Sequence, residues 1–283
     1  MNVFVPEEMD GLWDILAKEP DAAVYAGGTD LLVRLRTGIP IPSPSALVCL
    51  ERIAGLRGIR DEGDRVFIGA CTTHTELLES GLVANALPIL QKAARLLGSP
   101  PIRNMGTIGG NICTASPAGD TLPPLYLADG EVEIKSRVGA RRVGIDRFII
   151  GPGLTALGKG EVVSGIRVKK GMEYNVHHFE KVGQRKASAI SIASLAALVK
   201  TDASGAIVKV RLAWGSVGPL VVTMPEVEKA LAGRPLTVET LRSVHHMVER
   251  GVSPISDIRA GEEYRRRVAA NILLRLATYG PAI

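Results

Sequence analysis

Aromatic side chains make up only 4% of the 283 residues, so the 46% that are hydrophobic must build cores mainly from alanine, valine, leucine and isoleucine. The shortage also argues against a nucleic-acid reader, which interleaves a basic stripe with stacking aromatics. Charge agrees: the net is +5, no block of five or six like charges occurs, and the densest basic stretches are SRVGARR and YRRR. Cysteine is scarce as well. Cys49, Cys71 and Cys113 lie far apart without metal-ligand spacing, and three thiolates cannot hold an ordinary iron–sulfur cluster. They read as small buried apolar residues in a reducing compartment. No apolar run is long enough for a membrane span. The N-terminal MNVFVPEEMDGLWDIL carries acids where a secretory signal has a basic start, so a cytoplasmic protein is expected. His177–His178 and His245–His246 are adjacent in sequence and so share neither a helix face nor a strand face; no metal site is read from them.

What is present reads as strands first and helices last. Met9, Leu12, Trp13 and Leu16 have helical spacing, with Pro6 suited to the first turn. AAVYAGG reads as a buried strand ending at Gly27–Gly28, followed by the short apolar stretch LLVRLRTG. ALVCLERI and RVFIGACTT are further strands; HTELLES and LVANALPILQKAARLLGS are helical, with Gly98 as a stop. RNMGTIGGNICTASPAGD is loop-like and rich in small residues. DTLPPLYLADGEVEI predicts a short helix, a turn at Asp129–Gly130 and a strand, and EVVSGIRVK another strand. Near 172–180 the pattern changes. Two long strands joined at Asp202–Gly205 predict an antiparallel hairpin. Helical stretches follow near 225–232, 237–250 and 260–279, the last with Val268, Ile272 and Leu276 on one face and arginines opposite. Strands followed by helices argue an α+β class.

Two stretches share one chemistry. AGGTDLL and TIGGNI each combine two glycines with a threonine. Glycine lets a ligand touch the main chain, and successive N–H groups then form an anion-binding concavity. Two such loops could grip both halves of a pyrophosphate without a lysine, as a dinucleotide would need. With 31 glycines in the chain, both stretches also fit ordinary tight turns, and the residues alone leave the choice open. Two decoys fail. GLTALGKG nearly has phosphate-loop spacing, but Gly160 stands where a hydroxyl should reach Mg²⁺, and the following EVVSGIRV reads as a strand. GPGLTA half-fits a dinucleotide fingerprint, yet contains Pro152 and precedes no helix.

Taken together and in this order, AGGTDLL, TIGGNICTASPAGD and FEKVGQRKASAISIAS resemble the FAD-binding medium subunits of the molybdenum hydroxylases, the xanthine dehydrogenase and carbon monoxide dehydrogenase family. The resemblance covers nearly the whole chain. It implies a two-lobed FAD-binding fold of the vanillyl-alcohol oxidase type over residues 1–175, split near 55–60, then a smaller α+β domain of antiparallel sheet plus helices over 176–283. It implies that Tyr25, Ala26, Gly27, Gly28, Thr29, Asp30 and Leu31 wrap the FAD pyrophosphate and reach toward the ring. Thr107, Ile108, Gly109, Gly110 and Asn111 supply the second phosphate loop. Asp120 holds the ribose hydroxyls of the adenosine half; an N-cap of the helix after it is the other reading. Val163 lies near the isoalloxazine, or is a plain core residue. Lys181 lies at the pyrimidine edge, where it stabilises charge on the reduced ring, or is a solvated surface lysine. In the first role, Lys181→Ala shifts the flavin potential more than FAD retention. Gln184, Arg185 and Lys186 are weaker candidates for the same rim. Asp30 departs from the pattern: relatives vary there, and an anion beside a pyrophosphate should point away. Some relatives carry an extra cluster in an insertion; neither that insertion nor its cysteines occur here.

The resemblance also implies partners. Electrons would arrive from a [2Fe–2S] small subunit and ultimately a molybdenum-cofactor large subunit, in a dimer of heterotrimers, and leave to a small-molecule acceptor such as NAD, a quinone or oxygen. No side-chain nucleophile or general base is expected. Rival readings are a self-contained flavin oxidoreductase of the same fold, against which the aromatic-poor C-terminal hundred residues argue, and a nucleotide-binding regulatory subunit without redox chemistry.

Overall fold

The computed structural model describes residues 1–37, 44–171 and 173–280; Gly38, which closes the short apolar stretch, and Met172, at the start of the expected boundary, lie outside them. The chain forms two compact units. The first comprises Met1–Leu82, Ser99–Ala115 and Asp129–Lys169. Its N-terminal part is a parallel sheet of three short strands, Asn2–Phe4, Ala46–Cys49 and Ala23–Tyr25, with Ala46–Cys49 in the centre. Parallel strands need a crossover, and the helix Met9–Lys18 supplies the one between the two outer strands, Asn2–Phe4 and Ala23–Tyr25, burying Leu12 and Trp13. That helix starts three residues after Pro6, which precedes it rather than sitting in its first turn.

The rest of the first unit is an antiparallel sheet of five strands, in the order Ile59–Asp61, Arg65–Gly69, Val162–Lys169, Glu131–Ser136 and Gly139–Gly144. The register of Val162–Lys169 against Glu131–Ser136 slips between Val163 and Gly165. Such a bulge re-aims the side chains beside it. Val162 and Val163 are both buried, and the displaced Ser164 donates to Glu133 through its hydroxyl and accepts the Ala70 amide on its carbonyl.

The stretch 103–120, expected as loop, instead contains two helices in the described chain, the end of Pro100–Met105 and the whole of Ile108–Thr114. Thr107 caps the second helix, its hydroxyl accepting the Gly110 amide at 3.1 Å, and Ala115 ends it at φ +46. Two glycines disfavour a helix by roughly 1 kcal/mol each. Here the cap and tertiary packing outweigh that cost.

The second unit is not contiguous. It takes Val83–Gly98 and Ser116–Ala128 along with Lys170–Ile283. Its antiparallel sheet runs Val176–Val182, Ala193–Thr201, Ile207–Gly215 and Val222–Thr223. The long hairpin turns at Asp202, whose carboxylate accepts the amides of Ser204 and Ala206, with Gly205 at φ +80. Helices Pro225–Leu231, Val238–Ser243, His245–Gly251 and Glu262–Leu273 follow; the expected single stretch at 237–250 breaks at Val244. Trp214 is fully buried, its indole N–H donating to the Ala269 carbonyl at 2.9 Å. In Glu262–Leu273 one arginine departs from the expected amphipathic pattern. Arg265 is buried, its two terminal nitrogens donating to the carbonyls of Ile192 and Ser216 and to Asp257, while its Nε has no partner among the described residues. The molecule is α+β, and no helix among the described residues is long and apolar enough to cross a membrane.

Candidate cofactor site

In the first unit the strand Ala23–Tyr25 delivers the chain to Ala26 and Gly27, anchored where the Leu50 amide donates to the Tyr25 carbonyl at 2.9 Å. A side chain at Gly27 would overlap the backbone of Met105. Gly28 turns at φ +66, a conformation that glycine adopts without penalty. The helix Leu31–Thr37 starts at once: the Leu32 amide reaches the Gly28 carbonyl and the Arg34 amide the Asp30 carbonyl. The amides of Gly27, Gly28, Thr29 and Asp30 make no hydrogen bond to any described residue. Asp30 turns its carboxylate to the Thr114 hydroxyl at 3.4 Å and to Arg34 at 3.6 Å.

The second stretch behaves differently. Ile108 donates to the Thr72 carbonyl, Gly109 to the Ala70 carbonyl, Gly110 to the Thr107 hydroxyl and Asn111 to the Thr107 carbonyl, at 2.9 to 3.1 Å. All four amides therefore serve the fold. This corrects the expectation that both stretches offer a row of donors. Gly109 is needed for close packing, since a methyl group there would lie 2.6 Å from the Ala70 Cβ. Gly110 is exposed, and a methyl group there would meet only the Thr107 hydroxyl, at 3.1 Å. The two stretches abut: Gly27 lies against Met105 and Gly106, and the Thr29 hydroxyl lies 3.3 Å from where a methyl group on Gly106 would sit. Beneath Gly106 lies His74, buried and held by its amide to the Gly106 carbonyl at 3.0 Å. Burial and Arg103 push its imidazole down to about 4, so it is neutral at physiological pH.

Beside these stretches a cavity of about 440 Å³ opens, within the range of small-molecule sites. Tyr25, Ala26, Gly109, Gly110, Val162 and Val163 are among the residues that line it. The lining also includes Leu157 to Gly160, the end of the GLTALGKG stretch that fails as a phosphate loop, and Glu161 just after it. That wall is fastened by Glu161, which accepts the Gly158 amide at 2.7 Å and a two-pronged Arg141 guanidinium. Arg141 is the chief reason the Glu161 carboxyl sits at about 2. Cys71 and Cys113 also line the cavity, and burial pushes both thiols up to about 12, so neither is a reactive thiolate. Sequence reasoning missed this wall because its anchor, Arg141, is twenty residues away.

In the second unit Asp120 and Lys181 meet. Lys181 Nζ lies 2.5 Å from Asp120 Oδ2 and donates to the Leu96 carbonyl at 3.1 Å, with the two side chains 7% and 6% exposed. The N-cap of the helix Leu122–Leu127 is Thr121, so Asp120 does not cap it. Nor is Lys181 a solvated surface lysine. Asp120 Oδ1 is buried and has no partner among the described residues. Of the weaker rim candidates, Gln184 donates to the Arg259 carbonyl, Arg185 folds onto the carbonyls of Ala187 and Ser188, and Lys186 is exposed.

These features fit FAD. In the first unit, four amides without a partner among the described residues suit phosphate oxygens, and a cavity with bare glycine backbone suits a planar ring system. Family models agree. The FAD binding domain in molybdopterin dehydrogenase matches residues 1–169, and the CO dehydrogenase flavoprotein C-terminal domain matches 178–279. The xanthine dehydrogenase FAD-binding subunit of Escherichia coli O157:H7 is 34% identical over 89% of this chain and 86% of its own length. The carbon monoxide dehydrogenase medium chain of Hydrogenophaga pseudoflava is 31% identical over 90% and 88%. Reconstituted CO dehydrogenase from Oligotropha carboxidovorans contains a chain that superposes with a TM-score of 0.90 at 30% identity, covering 97% of this chain and 95% of that one. The chain therefore belongs to the FAD-binding medium subunits of the molybdenum hydroxylases, as a flavoprotein component of an oxidoreductase.

Proposed function

We propose that this chain is the electron-transfer subunit of a molybdenum hydroxylase assembly, standing between a [2Fe–2S] small subunit and a small-molecule acceptor such as NAD, a quinone or oxygen. A molybdenum-cofactor large subunit would complete a heterotrimer, itself paired into a dimer, in the cytoplasm. When bound, FAD supplies the chemistry that joins one-electron and two-electron carriers. The observation that carries this reading is the row of free amides at Gly27 to Asp30 beside a cavity edged by Tyr25, Ala26 and Leu50. The amides donate to the pyrophosphate, and Thr29 adds a hydroxyl. Thr107, Ile108, Gly109 and Asn111 serve by shape: they hold a bare backbone at Gly110 against which the cofactor lies. Val163 offers an apolar contact to a ring, and Leu31 starts the helix after the phosphate loop. Asp120 accepts from a sugar hydroxyl. No residue acts as an acid or base.

Purification of the native assembly tests this. Molybdenum, iron and flavin are expected to co-elute with this chain and two others, and the reducing substrate should bleach the flavin only when the metal-bearing chains are present. Flavin bleached by an organic substrate with this chain alone would overturn the reading in favour of a self-contained oxidoreductase.

A further inference from the structure

We propose that Arg141 is a positioning residue for the cofactor: acting through Glu161, it sets the path of the cavity lining at residues 157–160, against which a planar ring of the cofactor lies. The proposal rests on the reading of this chain as an FAD binder, and every residue in it belongs to the first unit.

Leu157, Gly158, Lys159 and Gly160 line the cavity as an unbroken run that continues into Glu161. That composition does not hold a shape by itself. Two glycines in four residues give the chain many conformations, which a ligand packed on it would have to remove. Gly160 turns at φ +73, and neither its amide nor that of Lys159 bonds to a described residue. One side chain nonetheless closes the run. Glu161 Oε2 accepts the Gly158 amide at 2.7 Å, and the Glu161 amide returns to the Gly158 carbonyl at 3.1 Å, so Lys159 and Gly160 sit in a tight loop. Arg141 holds that carboxylate in turn, with Nε on Oε1 and Nη2 on Oε2, both at 2.7 Å. The same Nη2 donates to the Ala156 carbonyl at 2.8 Å. The guanidinium therefore grips the run on both sides, at Ala156 before it and at Glu161 after it. Arg141 is itself fixed in the strand Gly139–Gly144, opposite Ile134.

A second contact competes for the same role. Lys159 Nζ lies 3.5 Å from Asp21 Oδ1, but those side chains are 72% and 78% exposed, where a lone ion pair contributes little. The Arg141–Glu161 pair is two-pronged and shorter, its side chains are 43% and 19% exposed, and it carries backbone partners at both ends. The guanidinium clamp is therefore the stronger of the two. Arg141 is not among the residues that line the cavity, so its influence on a bound ring passes through the loop. Bare backbone at Gly158 and Gly160 lets a flat ring approach the main chain closely while the loop keeps its path. A loop ordered before the cofactor arrives appears as affinity, because binding no longer has to order it.

The test pairs FAD titration with thermal unfolding, on the chain in the assembly it purifies with and stripped of flavin. Arg141→Met should bind FAD roughly tenfold more weakly yet melt within about 3 °C of wild type, since a partly exposed ion pair adds little to stability. Glu161→Gln should lose a similar factor. The double variant Arg141→Met/Glu161→Gln should bind within about threefold of either single variant, because the two residues act as one clamp. Arg141→Lys keeps the charge without the fork and should recover part of the affinity, a rescue that bulk stability would not produce. Competition by ADP locates the ring. A loss confined to FAD assigns the flavin to the 157–160 lining, with the visible band altered at saturation; a loss shared with ADP assigns the adenine; either supports the proposal. Where Arg141→Met fails to fold, Arg141→Lys and Glu161→Gln carry the same comparison. Wild-type FAD affinity in the single variants overturns the proposal. So do losses that multiply in the double variant, or an affinity that only follows the melting temperature from variant to variant. Wild type that binds no FAD would instead overturn the FAD reading on which the proposal rests.

Discussion

At Gly27 to Asp30 four consecutive amides bond to no described residue, whereas at Ile108 to Asn111 four consecutive amides are all taken by protein acceptors. The letters are nearly the same: two glycines and a threonine. The difference lies in the path of the chain around each pair. After Gly28 the chain swings through a positive φ and enters a helix only at Leu31, which leaves the intervening N–H groups outside any ladder. At Gly109 the chain is already helical, capped by Thr107 and laid against Ala70. One stretch can offer donors; the other offers proximity. A glycine pair therefore does not by itself state which of the two it provides.

The largest expected effect tests whether the first stretch owes its open amides to its contact with the second. Gly27→Ala would drive a methyl group into the Met105 carbonyl, a backbone obstacle that cannot rotate away. A loss of about 3 kcal/mol or more in unfolding free energy is expected, together with loss of FAD retention. Gly109→Ala meets Ala70 at 2.6 Å and should cost somewhat less, about 1–3 kcal/mol, with FAD affinity falling only as far as the helix shifts. Denaturant titration beside FAD titration separates them. Equal losses of affinity per unit of stability would dissolve the distinction between donor and spacer.

Gly28→Ala comes next. Its obstacle is the end of the Leu32 side chain at 2.6 Å, which can move, so the main cost is the left-handed backbone, about 1–2 kcal/mol. The substitution should nonetheless weaken FAD binding more than Gly109→Ala does, because relaxing φ re-aims the free amides. Isothermal titration of both variants at one temperature decides the order. If Gly28→Ala bound FAD as well as wild type, those amides would not be the donors.

How much of this was legible in the sequence depends on the range of the forces involved. The Asp202–Gly205 hairpin was readable because the turn is made locally, by an aspartate accepting its own downstream amides and a glycine at positive φ. The helix Ile108–Thr114 was not readable, since its glycines argue against it and the Ala70 that supports Gly109 lies thirty-nine residues upstream of it. The same applies to Arg265, polar by composition yet buried on carbonyls from two distant segments. The membership of Val83–Gly98 and Ser116–Ala128 in the second unit depends on packing that no local pattern encodes. At the site, the motifs marked where to look, while the Asp120–Lys181 pair and the cavity wall at 157–161 needed contacts across sixty-one and twenty residues.

The smallest expected effect is the sharpest probe of the comparison. Gly110 is the one glycine of the two pairs that neither adopts a positive φ nor presses on backbone: its only close neighbour would be the Thr107 hydroxyl, at 3.1 Å. It lies in the first turn of a helix, where alanine is favoured over glycine by roughly 0.5–1 kcal/mol. The tight hydroxyl contact offsets part of that gain, so Gly110→Ala should leave the melting temperature unchanged or slightly raised. Its methyl group, however, projects from an exposed residue on the cavity side. If bare backbone is what this stretch contributes, FAD affinity should fall several-fold, by about 1 kcal/mol, although the fold loses nothing. Thermal denaturation and FAD titration on the same preparation read both quantities. A variant that is more stable and binds FAD as before would show that the cofactor does not approach the second stretch, and the comparison would then rest on Gly27 to Asp30 alone.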